Sequence, residues 1–356
     1  MGSTPFATLV HNGDRYLLKT NKYEEPKQHE TLVNAVCDIV AAAARQRTDE
    51  RPHEMCLHAA SVRMGEALVV FPAVRRAGKS CLTAALAAKG YQIFGDDVLS
   101  VASDPGVPVT GQAMGAPIRL RLPLPSGLPG WMLDNIDLHR GRSNQQYLYF
   151  SPPEIAPNGE RAPIGALVHL ERGDDIATEF GPMSKGIMLR SLLKQNFARS
   201  ATADKILCDL VQLAESTPAF LLRYSNIEEA VNALTLQFHS QVAPLNTVQS
   251  RPLQKATKAA IIPSGADIVL RQDPTAVLRE VEGEVFATNR DLTRVLHLNE
   301  GTVRIWKILE EPTSEAEAVE ILHMAFPDVS FAELEADTQK AFLNLKRAGL
   351  VTVVGP

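Results

Sequence analysis

The chain has 356 residues, with 36 Lys and Arg against 41 Asp and Glu and a formal net charge of -5. Hydrophobic residues make up 45% and charged residues 22%, the balance of a globular chain able to bury a full core, and the length suits two domains. An acidic chain lacks the basic footprint of a general nucleic-acid binder, and no apolar run approaches the ~20 residues of a membrane span. The start, MGSTPFATLVHNGDRYLL, has no basic segment ahead of a long apolar stretch, so no signal peptide is expected. Cys37, Cys56, Cys81 and Cys208 are far apart, with neither C-x-x-C nor zinc-site spacing, and are expected as reduced thiols of a cytoplasmic protein.

In chain order, HNGD within residues 6–20 signals a hairpin. Residues 28–46 predict an amphipathic helix, with Leu32, Val36, Ile39, Val40 and Ala43 at helical spacing. CLHAASV and ALVVFP predict two short buried strands around a turn at Arg63 to Glu66. SCLTAALAA predicts a helix ending at Gly90, and YQIFGDDVLSV a strand that carries two acids. Residues 104–160, rich in Pro and Gly, predict little helix; GALVHLERGDD predicts a strand and turn; 186–215 and 226–240 predict helices. Two or three strands and three helices follow, with Ser314/Glu317 and Ser330/Glu333 fitting capping boxes. The pattern predicts a larger α/β domain at 1–245, a linker at 246–275 and a small α+β, winged-helix-like domain at 276–356.

The sharpest feature is FPAVRRAGKS, residues 71–80, between an apolar strand and a helix. A phosphate-binding loop belongs there: backbone N–H groups and the helix N-terminus cradle phosphate oxygens, Lys79 reaches the terminal phosphates, and the Ser80 hydroxyl can ligate Mg²⁺. A bare G-K-S arises by composition in roughly one of every five or six chains this long, so the strand–loop–helix context carries the reading. The candidate phosphate contacts are Ala73, Val74, Arg75, Arg76, Ala77, Gly78, Lys79, Ser80 and Cys81. Ala73 stands where the usual motif has its first Gly.

Asp96 and Asp97 lie 17 and 18 residues after Lys79, on a strand expected to return beside the first. One carboxylate could hold Mg²⁺ with Ser80, for which Asp96 is the candidate, and the other could take a proton from an attacking hydroxyl. Two unpaired acids inside an apolar strand would otherwise be costly. His58, 21 residues before Lys79, is by itself more ordinary as a core histidine.

LHAASVRMGEALVVFPAVRRAGKSCLTAALAAKGYQIFGDDVLSV resembles the catalytic domain of HPr kinase/phosphorylase, with a histidine before the loop lysine and a D-D pair after it at the same intervals. The resemblance implies a P-loop kinase fold of the HPr kinase/PEP carboxykinase type that transfers phosphate from ATP, or from another phosphoryl donor in some members, to a serine hydroxyl. It implies a catalytic role for His58, phosphate binding by Lys79, metal ligation by Ser80 and base chemistry by Asp97. GALVHLERGDDIATEFGPMSKGIMLRSLLKQNF, residues 165–197, resembles the downstream part, where Lys185, with Arg190 as fallback, matches a basic residue that contacts the phosphates. The likeness covers roughly residues 50–240. The family's second metal ligand, a glutamate in E-x-R-G, is missing: Pro117 occupies its place while Arg119 keeps the arginine. A kinase without the reverse reaction, or one with altered metal binding, fits that departure. The resembling kinases are hexamers, so a homo-oligomer is an expectation.

HLNEGTVRIWKILEEPTSEAEAVEILHMAF and AFLNLKRAGLV, within 276–356, resemble the PqqD-like family, which implies a precursor-peptide partner added as an extra strand. Residues 276–356 hold 8 Lys and Arg against 14 Asp and Glu, which opposes the DNA binding that a winged-helix shape could also suggest. Trp306, Leu309, Ile321, Leu322, Phe342 and Leu345 are expected in the core, with peptide contacts around Arg294–Leu298 and on the last helix. Together these readings predict an ATP- and Mg²⁺-dependent kinase acting on a Ser or Thr hydroxyl of a ribosomally made peptide. The alternatives are a small-molecule kinase and a nucleotide-binding peptide chaperone with little catalysis.

Overall fold

The computed structural model describes residues 6–20, 25–51, 54–72, 77–103, 107–197, 201–238, 268–289 and 295–354. Contacts divide the chain into two compact units, Met1–Ser200 with Gln212–Val248, and Ala201–Val211 with Gln249–Pro356. No helix among the described residues is long and apolar enough to cross a membrane. The four cysteines are free thiols.

The first unit is built on a nine-stranded mixed sheet. Its organiser is the strand Arg161–Arg172. That strand pairs antiparallel with Thr110–Gln112 through residues 161–163, and parallel with Ala219–Tyr224 through 167–172. Ala67–Phe71 lies parallel along its other side. Ala60–Met64 and then Gln92–Gly95 extend that side, while Leu99–Ala102 and Glu54–Leu57 extend the other from Thr110–Gln112. The residues of ALVVF are all buried, the continuous apolar run expected of a strand covered on both faces. The helix Lys79–Ala88 lies on this sheet and buries Leu82 through Ala87. Leu82 and Leu86 are at most 1% exposed, and each such side chain contributes about 1.5–3 kcal/mol on leaving water. A second sheet, Ile118–Arg121, Arg140–Ser143 and Tyr147–Phe150, adds Ile118, Leu120, Leu148 and Phe150 to the same core.

Several expectations shift. The N-terminal hairpin turns at Gly13, with φ 63°, as the Asn-Gly signal requires. The first helix runs Leu32–Glu50 rather than 28–46, because Lys27–His29 pair as a strand and Thr31 caps the helix by accepting the Asn34 N–H at 3.2 Å. The helices expected over 186–215 and 226–240 are Lys185–Gln195, Ala203–Ser216 and Ile227–Phe238, and Gly130–Leu138 adds a helix to the Pro- and Gly-rich stretch. CLHAASV is two strands broken at His58, and YQIFGDDVLSV is two strands broken at Asp96–Val98. The acids therefore sit at a bend, not inside a strand. Their strand Gln92–Gly95 is also separated from Ala67–Phe71 by Ala60–Met64, which is inserted between the two.

The second unit has two three-stranded sheets and, among the described residues, the helices Glu300–Ile308, Glu315–Ala325 and Phe331–Arg347, with the first part of Ala203–Ser216 also assigned to it. One sheet is Ala276–Val281, Glu284–Asn289 and Leu296–Leu298; the other pairs Val269–Gln272 with Thr313–Ser314 and Val351–Val354. Val269–Gln272 fall in the stretch read as linker and form a strand. Ser314 and Glu317 make a full capping box, while Ser330 accepts the Glu333 N–H at 3.3 Å. Trp306, Leu309, Leu322, Phe342 and Leu345 are core, but Ile321 is 41% exposed, on the helix face away from its buried neighbour Leu322. Arg294 lies outside the described residues.

Candidate active site

The site forms where two antiparallel ladders break opposite each other. Glu54–Leu57 pair with Leu99–Ala102, ending at Leu57 opposite Leu99. Ala60–Met64 pair with Gln92–Gly95, with Ser61 opposite Gly95. His58 falls in one break and Asp96–Asp97 in the other, so the chain crossings face each other. A Cβ at Gly95 would sit 2.4 Å from the Val98 carbonyl oxygen, so only glycine permits this bend. The result is a His58 Nε2 to Asp97 Oδ1 hydrogen bond of 2.7 Å.

Asp97 is held on both oxygens: Arg119 Nη2 donates to Oδ2 at 2.5 Å. Burial pushes the Asp97 carboxyl up, but the His58 hydrogen bond and the charges of Arg119, His58 and Lys79 outweigh it and leave it below the ordinary carboxylate range. Asp96 is the reverse case. Burial first, then the charge of Asp97, raise it to about 6, against the Arg119 N–H (3.0 Å to Oδ2) and a hydrogen bond with the Ser80 hydroxyl. Its Oδ1 is buried without a hydrogen-bond partner. Adjacent residues are thus driven apart in acidity by their partners, an arrangement characteristic of chemical sites.

Gly78, in the left-handed region at φ 88°, precedes the helix Lys79–Ala88, so the free N–H groups of the first turn open toward the loop. Lys79 is 8% exposed and bears electrostatically on Asp97; Ser80 reaches Asp96. Ala77, Gly78, Lys79, Ser80, Asp96, Asp97 and His58 are thereby gathered around the helix start. Cys81 is half-buried in the same first turn, and burial raises its thiol. Ala73, Val74, Arg75 and Arg76 lie outside the described residues.

Lys185 is not drawn into this group. Its Nζ donates to the Glu215 carbonyl at 2.6 Å. The opposite end of its helix, Gln195, is what touches the site, and ten residues at 1.5 Å rise put Lys185 about 15 Å farther along the axis. Gln195 itself is a contact that no sequence pattern announced. Its Oε1 lies 3.0 Å from His58 Nδ1 and its backbone oxygen accepts the His58 N–H at 2.7 Å, so one residue fixes both the ring and the backbone of His58. Arg119 is the other, and the arginine retained beside Pro117 was its one signal in the sequence. Its guanidinium also lies 5.0 Å from the Tyr147 ring centroid and its Nη1 3.3 Å from Cys37 Sγ, contacts that hold it over Asp97.

The oxygens available to a cation are the Ser80 hydroxyl and the unpartnered Asp96 Oδ1. Among the described residues no group of three or more His, Cys, Asp or Glu could hold a metal. One hydroxyl and one carboxylate suit Mg²⁺, which takes its remaining ligands from water and phosphates, and do not suit a closed structural metal site.

No curated protein matches the chain. Two solved structures show local likeness. One is TbiB1 in complex with the TbiA(beta) leader peptide, 20% identical, covering 24% of this chain and 99% of that one, with a TM-score of 0.22. The other is the HPr(Ser) kinase/phosphatase from Coxiella burnetii, 14% identical, covering 51% of this chain and 97% of that one, with a TM-score of 0.25. Scores this low leave the chemistry of the first unit to be argued from its side chains. Residues 277–351 match the family model of PqqD, coenzyme PQQ synthesis protein D, and the C-terminal part of the chain therefore carries a PqqD domain.

Proposed function

We propose that the chain is an ATP- and Mg²⁺-dependent kinase that phosphorylates a Ser or Thr hydroxyl on a ribosomally made peptide recruited by the PqqD domain. The observation that carries this reading is the convergence of an ionised Asp97, gripped by His58 and Arg119, with Lys79 and the unpartnered Asp96 Oδ1 at the start of one helix.

In this reading the first-turn N–H groups and Lys79 hold the phosphates and offset the charge that develops on the transferred group. Asp97 accepts a hydrogen bond from the acceptor hydroxyl and orients it. Its low proton affinity suits that task, because phosphoryl transfer depends more on positioning and charge than on early deprotonation. As the hydroxyl oxygen bonds to phosphorus and the bond to the ADP oxygen breaks, the proton passes to Asp97, while His58, which donates to Asp97 Oδ1, holds that carboxylate in place. Mg²⁺, held by Ser80 and Asp96, would neutralise phosphate charge when bound. Arg119 keeps Asp97 ionised and aimed.

The PqqD domain supports a peptide as the acceptor, with the edge of the sheet Ala276–Leu298 as its docking strand. The test is ADP formation from Mg²⁺·ATP with a Ser-containing precursor peptide, and mapping of the phosphorylated residue by mass spectrometry. ADP formed equally with the peptide and with a small hydroxylated metabolite would favour the small-molecule alternative; ATP binding without ADP would favour the chaperone.

A further inference from the structure

We propose that the outward face of the small sheet beside Asp97 is an acceptor subsite, in which Arg121 and Tyr147 receive an acidic side chain of the peptide two residues from the hydroxyl that is phosphorylated. This rests on the kinase reading and deepens it, because it names what the acceptor peptide must carry.

The sheet Ile118–Arg121, Arg140–Ser143 and Tyr147–Phe150 has two unlike faces. Ile118 pairs with Phe150 and Leu120 with Leu148, and all four side chains are fully buried in the core. That face packs against the helix Lys79–Ala88. Strand alternation sends Arg119 and Arg121 to the other face, opposite Tyr149 and Tyr147. Arg119 is half-buried and occupied, since its guanidinium pairs with Asp97. Arg121 is exposed, with its guanidinium 5.9 Å from the Tyr147 ring centroid, at the outer limit of a cation–π contact.

The three strands carry four arginines and no acid. Asp97 pairs with Arg119, and Asp137 with Arg140 at 3.4 Å. Among the described residues no acid pairs with Arg121 or with the exposed Arg142, so positive charge is left over beside the reacting carboxylate in a chain whose net charge is -5. This face is turned away from the helix whose first turn would hold the donor phosphates. In-line transfer brings the acceptor from the side opposite the leaving ADP, so the surplus charge belongs with the acceptor. An extended peptide advances about 6.6 Å in two residues, the same step that separates Arg119 from Arg121 on their strand. With its hydroxyl at Asp97, the side chain two residues away falls at Arg121. An Asp or Glu there can accept two hydrogen bonds from the guanidinium, which the Tyr147 ring helps to orient.

The test is steady-state phosphorylation, by the full chain with Mg²⁺·ATP, of one Ser-containing precursor peptide made with Asp, Gln or Lys two residues before or after its Ser. The parent chain is expected to prefer Asp over Lys at one of the two positions by about tenfold in kcat/KM. Arg121→Gln should abolish that preference while the KM for ATP stays within about twofold. Arg121→Glu should invert it in favour of Lys, a reversal that a merely structural arginine would not produce. Arg121 is exposed, so both variants are expected to unfold like the parent. Equal rates for the three peptides at both positions, or a loss in Arg121→Gln that is expressed as a raised KM for ATP, overturns the subsite and leaves the kinase reading standing. Failure of the parent chain to phosphorylate any of the peptides overturns the two together.

Discussion

Glu54 and Asp96 expose similarly little surface, 5% and 6%; Glu54 stands in the ladder with Leu99–Ala102, and Asp96 in the break that follows Gln92–Gly95. They behave oppositely. Glu54 accepts from Arg47 at 2.9 and 3.0 Å, Arg51 at 3.0 Å, Arg161 at 2.6 Å and Ser100 at 2.8 Å. Burial pushes its carboxyl up, but the hydrogen bonds from Ser100, Arg51 and Arg47 and the charge of Arg47 hold it down at about 2. Asp96 has a like charge beside it, an oxygen with no partner, and a carboxyl raised to about 6. Asp96 lies the deeper of the two, and that burial, with fewer partners to offset it, raises its carboxyl. A saturated buried carboxylate stabilises the sheet; an under-partnered one costs stability and leaves an oxygen for a ligand.

The sharpest way to break this contrast is at the reacting pair. Asp97→Asn and Lys79→Ala are each expected to lower phosphoryl transfer by about 10²–10⁴-fold, with unfolding curves close to the parent's. Glu54→Gln should do the opposite. It leaves three arginines around a neutral amide, and a loss of about 3–5 kcal/mol in denaturant unfolding is expected, with turnover per folded molecule retained.

Acid should separate the two carboxylates next. Glu54 has a depressed folded-state value, so its contribution is present above its unfolded value of about 4.5 and is lost as pH falls toward 2; the difference is worth about 3 kcal/mol. Stability measured from pH 5 downward should fall, and part of that slope should vanish in Glu54→Gln. The smallest effect is expected at Asp96. Its folded value is raised, so the metal-free chain is destabilised as pH rises through about 6. Asp96→Asn should then stabilise the metal-free chain at pH 8 by on the order of 1–2 kcal/mol, with the gain fading below pH 4, while it weakens Mg²⁺-dependent ATP binding.

What the sequence made legible is local. Gly78-Lys79-Ser80 after an apolar strand, the turn at Gly13, and the Ser314–Glu317 box each depend on residues a few positions apart. Asp97 was legible from its place after Lys79, but His58 read alone as a core histidine and gained a role only through the resemblance to HPr kinase; their contact comes from two strand breaks that an apolar run conceals. Arg172, Tyr224 and Gln195 carry no local mark. They reach the loop and His58 because Arg161–Arg172 and Ala219–Tyr224 run parallel to the loop strand and because Lys185–Gln195 ends against the Glu54–Leu57 edge, through the Leu57–Asn196 bridge. Strand order is a long-range property, and the insertion of Ala60–Met64 beside the loop strand shows how a simple strand–helix–strand expectation misplaces it. Lys185 falls outside the gathered residues for a related reason: matching by position on a helix ignores which end of that helix meets the site.

Lys79 and Asp97 are proposed to transfer phosphate rather than only bind it. The most direct test is ADP release from Mg²⁺·ATP by the full chain and by Lys79→Ala and Asp97→Asn, with and without a Ser-containing precursor peptide. Peptide-dependent ADP and a phosphorylated hydroxyl are expected with the parent chain, both lost in the two variants. ADP release that is absent from the parent chain, or equal in all three, would contradict that role.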